Sequence, residues 1–149
     1  MSSIYNHILV ATDASEEART VGGRALEIAR RHNARVSLIH VVEEVNLSAG
    51  YELMPLLPEL PDEALIGEAR AQLDRLAEEL EIPDCARWVV SAVSTQEGIL
   101  RIAREQNMDL IVVGCHGRHG LSLLLGSTAN ALLHRAPCDV LALRIGGEQ

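Results

Sequence analysis

The chain has 149 residues, 48% hydrophobic and 23% charged, a balance that fits one globular domain and excludes a disordered chain. Its 13 basic and 21 acidic residues give a formal net charge of −8, which speaks against nucleic-acid and anionic-membrane partners, and one Trp, two Tyr and no Phe leave no aromatic platform for stacking bases. No apolar run reaches membrane length, the opening MSSIYNHILVATD lacks the pattern of a signal peptide, and Cys85, Cys115 and Cys138 are odd in number without CxxC spacing, so a cytoplasmic protein with free thiols is expected.

The run His7–Thr12 reads as a first strand ending in Asp13. Ser15 then stands as an N-cap before Glu16 and Glu17, where acids suit the positive end of a helix. Ala18, Val21, Ala25, Ile28 and Ala29 follow at helical spacing, and Arg30, Arg31 and His32 close the helix with the favourable sign. Arg35–Val42 is β-branched and apolar, a second strand; His40 within it reads as a packed core residue. Residues 43–61 carry Pro55, Pro58 and Pro61 and read as an irregular excursion inside a single domain spanning 1–149. A second helix starts at Asp62, with Leu65, Ala69, Leu73, Leu76 and Leu80 along one face, and Pro83 closes it. Arg87–Val93 is a third strand, with Trp88 as core or edge packing. Ser94-x-x-Glu97 has the form of a capping box, before a third helix marked by Ile99, Ile102 and Ala103. Asp109–Val113 is a fourth strand, a fourth helix runs from about Gly126 to Arg135, and Asp139–Arg144 is the fifth strand.

Strands and helices therefore alternate, and the strands are apolar runs rather than strict alternations. That pattern predicts an α/β fold: a doubly wound five-stranded parallel sheet with helices on both faces. Such sheets take ligands at the carboxyl ends of their strands, where the strand order reverses. The unusual residues fall there. Gly114, Gly117, Gly120 and Gly126 punctuate the segment after the fourth strand, and Gly126-Ser127-Thr128 opens a helix. Glycines let backbone N–H groups approach a ligand, and a helix N-terminus attracts phosphate. Between Leu110 and Cys138 there is no Asp or Glu, where the average density of the chain would place about four. Arg118 lies in that segment and is a further candidate for phosphate on charge alone. The segment is neither a Walker A loop, since it has no Gly-Lys-Ser/Thr, nor a dinucleotide fingerprint, since it follows the fourth strand and has the wrong spacing. A plain structural loop remains the alternative on these residues alone.

Two separated motifs resemble those of the universal stress protein family. HILVATDASEEA is similar to its first strand and Asp-bearing turn, and MDLIVVGCHGRHGLSLLLGSTANALLHRAPCDVLALR to its C-terminal signature, Gly-x2-Gly-x9-Gly-Ser/Thr followed by a helix and a last strand. The resemblance implies strand order 3-2-1-4-5 and a homodimer joined through the last strand, here Val140–Leu143. It further implies adenine-nucleotide binding, ATP or else AMP or ADP; on its own chemistry Asp13 is a candidate either to anchor the ligand or to help hold Mg²⁺ on the phosphates. By position it assigns Asp13 and Val41 to the adenine and ribose side, the backbone of Val113 and Gly114 to the ribose, and Gly117, Gly126, Ser127 and Thr128 to the phosphates. Two departures stand out. Eight residues rather than nine separate Gly117 from Gly126, and Ala129 stands where some ATP-binding members carry a hydroxyl. The expected role is that of a nucleotide-binding stress-response regulator. The alternatives are a weak ATPase, for which the sequence offers no evident general base, and an interaction module that binds no nucleotide.

Overall fold

The computed structural model describes residues 4–12, 17–44, 62–116 and 127–145. Apolar strands that lack polar alternation need cover on both faces, and the chain supplies it by alternation. The order is β1 (His7–Ala11), α1 (Glu17–His32), β2 (Arg35–Glu43), α2 (Asp62–Glu79), β3 (Ala86–Ala92), α3 (Thr95–Glu105), β4 (Leu110–His116), α4 (Ser127–Arg135) and β5 (Asp139–Ile145). All four strand pairings are parallel, and the sheet runs β3-β2-β1-β4-β5, the 3-2-1-4-5 order expected. None of the described helices is long and apolar enough to cross a membrane.

Successive strand residues feed opposite cores. Ile8, Val10, Leu38, Leu110 and Val112 pack with Val21 and Ala25 of α1 and Leu73 and Ala77 of α2. Leu9, Ile39, Val41, Ile111 and Val113 pack with Ile99 and Leu100 of α3 and Leu132 of α4. The cores are aliphatic. Trp88 borders the second of them, half-buried. His40 is also half-buried, and its Nδ1 has no hydrogen-bond partner among the described residues.

Polar clamps fix the amino edge of the sheet. The Asp109 carboxylate accepts the N–H of Asn6 (2.9 Å) and of His7 (3.0 Å), and the Asp109 N–H donates to the His7 carbonyl (3.0 Å). His7 Nε2 lies 2.7 Å from the hydroxyl of Ser37, itself only 1% exposed. Burial, helped by the nearby Arg35, lowers the His7 pKa and so favours a neutral ring. Three helices hand the chain back to this edge through left-handed residues, Asn33 (φ 56°), Glu81 (φ 64°) and Asn107 (φ 54°). At each, the following N–H closes a wide turn on the helix: Ala34 to Ala29, Ile82 to Ala77 and Met108 to Ala103, at 2.8–3.0 Å.

Two expectations from sequence shift. β4 does not end at Val113 but continues through Gly114 and Cys115 to His116, because β5 pairs with it in unbroken register as far as His116 and Ile145. Tertiary pairing outweighs the poor strand preference of glycine. Glu43 is the last residue of β2 rather than the start of an excursion, since it pairs with Ala92 of β3. Residues 45–61 and the Ser15 cap lie outside the described residues.

α3 sits close on the sheet because of Gly98. A Cβ there would fall 2.7 Å and 2.9 Å from the two methyls of Val41, a side chain with little freedom to yield. Gly23 of α1 has nothing within 4 Å of such a Cβ. Gly98→Ala is therefore expected to destabilise by about 1 kcal/mol, overpacking outweighing the better helix former. Gly23→Ala is expected to stabilise by about 0.5–1 kcal/mol. Urea unfolding of both variants checks the pair, and equal shifts would contradict the packing account.

Candidate functional site

β1 lies between β2 and β4, and the connections from its two neighbours leave in opposite directions. α1 covers one face at that point and α3 and α4 the other. Two helices therefore part at the carboxyl ends of β1 and β4, and a cavity of about 320 Å³ opens between them. Its floor is Ala11 and Thr12 after β1 together with Val113, Gly114 and Cys115 of β4. One wall is the first turns of α1, with Glu17, Ala18 and Val21; the other is Thr95 and Ile99 of α3. Ser127, Thr128 and Ala129, the first residues of α4, close it together with Ile145.

Apart from Glu17 the lining is apolar with several hydroxyls, and the first residues of α4 present Ser127 and Thr128 at a positive helix end. Gly114 is needed on steric grounds. A Cβ would meet Ile145 Cδ1 at 2.8 Å and Val21 Cγ2 at 3.0 Å, so glycine lets α1 and β5 close over the floor. Ala129 is 2% exposed and packs in the core shared with α3, so a larger or polar side chain has no room to add a ligand contact without repacking.

The first turn of α3 is shaped differently. Ser94 caps it, its hydroxyl accepting the Glu97 N–H at 3.3 Å. The Glu97 carboxylate reaches across to Arg135 (3.2 Å) and ties the start of α3 to the end of α4, where the capping-box pattern led one to expect it turned back on Ser94. Glu43 completes the turn: one carboxylate oxygen accepts both the Thr95 N–H (2.9 Å) and the Thr95 hydroxyl (2.8 Å).

A larger hollow of about 730 Å³ lies at the opposite end, against His7, Ser37, Cys85 and Trp88. There α1 and α2 present their carbonyl ends, and the lining carries charges of both signs, Arg30 and Arg35 beside Glu81 and Asp84. Among the described residues no group of three His, Cys, Asp or Glu could hold a metal ion.

The profile of the Universal stress protein family matches residues 4–144. The chain belongs to the universal stress protein family. It is 41% identical over 140 residues to Universal stress protein A homolog 1 of Coxiella burnetii, covering 93% of this chain and 96% of that one. Among solved structures, the universal stress protein UspA from Lactobacillus plantarum superposes with a TM-score of 0.70 at 28% identity, covering 96% and 100% of the two chains. Two more distant universal stress proteins share the fold. One was solved in complex with cAMP (TM-score 0.64, 22% identity, 95% and 98% covered). The other, from Archaeoglobus fulgidus, was solved with dAMP (TM-score 0.59, 20% identity, 93% and 98% covered).

In this universal stress protein the structure brings Val113, Gly114, Ser127 and Thr128 to one cavity. The Val41 side chain is 8% exposed, packs beneath Gly98 of α3 and is not among the residues that line this cavity. Asp13, Gly117, Arg118 and Gly126 lie outside the described residues. Sequence reasoning passed over Thr95, Glu17 and Ile99. Thr95 follows a legible cap, Ser94, at the carboxyl end of a strand, and that position alone could have marked it. Removing the Glu43 carboxylate leaves the Thr95 N–H and hydroxyl without their acceptor, so Glu43→Ala is expected to lower stability by about 1 kcal/mol. A thermal melt against Glu44→Ala, a neighbour of like charge, checks that the loss belongs to the bond rather than to the charge.

Proposed function

We propose that this universal stress protein binds an adenine nucleotide in the cavity between β1 and β4, and acts through nucleotide-dependent conformation or partner binding. The observation that carries the reading is the meeting of Gly114, Ser127 and Thr128 on one cavity at the reversal of strand order, where open parallel sheets take such ligands. The residues fit the group. The cavity is of ligand-binding size, its floor is apolar enough for a base, and the start of α4 offers N–H and hydroxyl donors to phosphate. The stretch from Leu110 to Cys138 itself brings no carboxylate to the phosphate side, and the relatives bound to cAMP and dAMP make the ligand class reasonable. In this reading Asp13, Gly117, Arg118 and Gly126 complete the site, and Asp13 would help hold Mg²⁺, which would offset phosphate charge. The glycine segment, one residue shorter than the family pattern, admits AMP and ADP as well.

Calorimetric titration of nucleotide-stripped protein with ATP, with and without Mg²⁺, tests the reading. Saturable binding is expected, weakened at least about tenfold by Gly117→Val, since this reading places a phosphate against that glycine. Absence of binding, or binding indifferent to Gly117→Val, rejects the site. Release of ADP over hours in the same samples would add slow hydrolysis to binding.

A homodimer through β5 is part of the proposal. β3 and β5 are the two sheet edges. Beside β3, Arg101 donates to the Ser91 carbonyl and Arg87 is bonded to Asp74 and to the Pro83 carbonyl, so cations flank that edge and discourage pairing. β5 instead offers half-buried Val140, Leu141 and Ala142. A two-fold pairing would cover them. Sedimentation equilibrium is expected to give twice the chain mass; a monomer over the whole accessible concentration range rejects the pairing.

A further inference from the structure

His7 stands where the central strand begins, and its ring meets a buried hydroxyl. His7 Nε2 lies 2.7 Å from Ser37 Oγ of β2. Ser37 is 1% exposed, the one buried polar side chain among the described residues, and His7 is the partner its hydroxyl has there. A hydroxyl carries one proton and two lone pairs, and where water does not reach it that proton needs an acceptor. The acceptor is His7 Nε2. The neutral ring therefore keeps its own proton on Nδ1 and leaves Nε2 bare. The opposite tautomer would strand the hydroxyl proton in the core.

A second proton on His7 must go to Nε2, where it meets the Ser37 proton. The hydroxyl can turn and accept, but its own proton then has nowhere to go. Burial of the ring and the charge of Arg35 oppose protonation as well and hold the pKa below its ordinary value of 6.5; Asp109 pulls the other way and is outweighed. Arg35 and Asp109 are the charged groups that act on the ring. Trp88 of β3 and Gln106 after α3 border the same hollow without charge, and Arg30, Glu81 and Asp84 line it from exposed positions.

The bond also sits on a seam. Beside it the Arg35 N–H donates to the Asn6 carbonyl (2.9 Å), and the Asp109 N–H to the His7 carbonyl (3.0 Å), so β2 and β4 are both fastened to the start of β1 here. The carboxyl edge has fastenings of its own, Thr12 N–H to the Ile39 carbonyl (2.9 Å) and Glu44 N–H to the Ala92 carbonyl (2.8 Å).

We propose that the His7–Ser37 bond is an acid-sensitive catch: a proton on His7 Nε2 breaks it and opens the amino edge of the sheet locally, while the carboxyl edge stays closed. A histidine whose pKa is lowered by folding takes its proton more readily in the opened chain. The stability it contributes is therefore full above pH 6.5 and is lost as the pH falls below that toward the lowered value. Mild acid is enough, in a range where most carboxylates stay ionised. The catch works whether or not a nucleotide occupies the cavity at the other end.

Amide hydrogen exchange at about pH 7.5 and about pH 5, corrected for the intrinsic rate at each, tests it. The reporters are the Arg35 and Asp109 amides at the amino edge and the Thr12 and Glu44 amides at the carboxyl edge. In acid the wild type is expected to lose protection several-fold at the first pair and to keep it at the second. His7→Gln, whose side-chain oxygen accepts the Ser37 proton but does not titrate, abolishes the response. Ser37→Ala removes the proton that blocks Nε2 and shrinks it. Each variant is first checked for a cooperative unfolding transition at neutral pH. Should one fail, the nitrogen chemical shifts of the wild-type imidazole decide: a neutral ring protonated on Nδ1 and a midpoint below 6.5 support the catch, and a neutral ring protonated on Nε2 overturns it. Equal losses at both edges, or an acid response that survives His7→Gln or stays undiminished in Ser37→Ala, overturn it too.

Discussion

β1 is only five residues long, and everything else is arranged around it. It is paired to β2 on one side and β4 on the other, Ile8 and Val10 point into one core and Leu9 into the other, and all three side chains are fully buried. A strand enclosed in this way has no solvent face, so its alternation carries no polar signal and its neighbours must be brought in by crossovers from both directions. The divergence of those crossovers leaves the gap between α1 and α3, and that gap is the cavity. The position of the site is thus a consequence of enclosing β1 and requires no separate design.

The cavity gains its chemical asymmetry from side chains that arrive from far away in sequence. Glu43 and Thr95 are 52 residues apart, and Arg135 meets Glu97 across 38. The α3 end is thereby given a carboxylate, while the α4 end keeps its hydroxyls and its positive dipole. The charges around the cavity are thus unevenly placed, with Glu17 and Glu43 on the α1 and α3 sides and no acid on the α4 side, and what a ligand senses is the arrangement within a few ångströms.

Much of the fold could be read from sequence because its signals are local. Ser94 caps α3 as its position before Glu97 indicates, Arg30, Arg31 and His32 fill the last turn of α1, and α2 begins at Asp62. The misjudged places depend on distant partners. Gly114 and Cys115 belong to β4 only because β5 pairs with them, and Glu43 belongs to β2 only because Ala92 does. Of the candidate site residues, Val113, Gly114, Ser127 and Thr128 gather at one cavity. Val41 is not among the lining residues; its side chain packs beneath Gly98 of α3. Thr95 escaped notice because its importance lies in a bond to a residue on another strand, which no spacing rule announces.

The two longest connections of the domain lie at one end, although the same end also joins β3 to α3 in two residues. At the amino edge, α1 passes to β2 in two residues and α3 to β4 in four, each closed by a left-handed asparagine and a hydrogen bond back onto the helix. At the carboxyl edge, 18 residues separate β2 from α2 and ten separate β4 from α4. Lengthening a connection that is already long costs little, about 0.6 kcal/mol for each doubling of a flexible one, whereas a two-residue clamp admits no insertion without losing its bonds. One edge therefore acts as a foundation and the other as a workbench. Chain can be added, removed or rewritten beside the cavity while the register of the sheet stays locked from the opposite side.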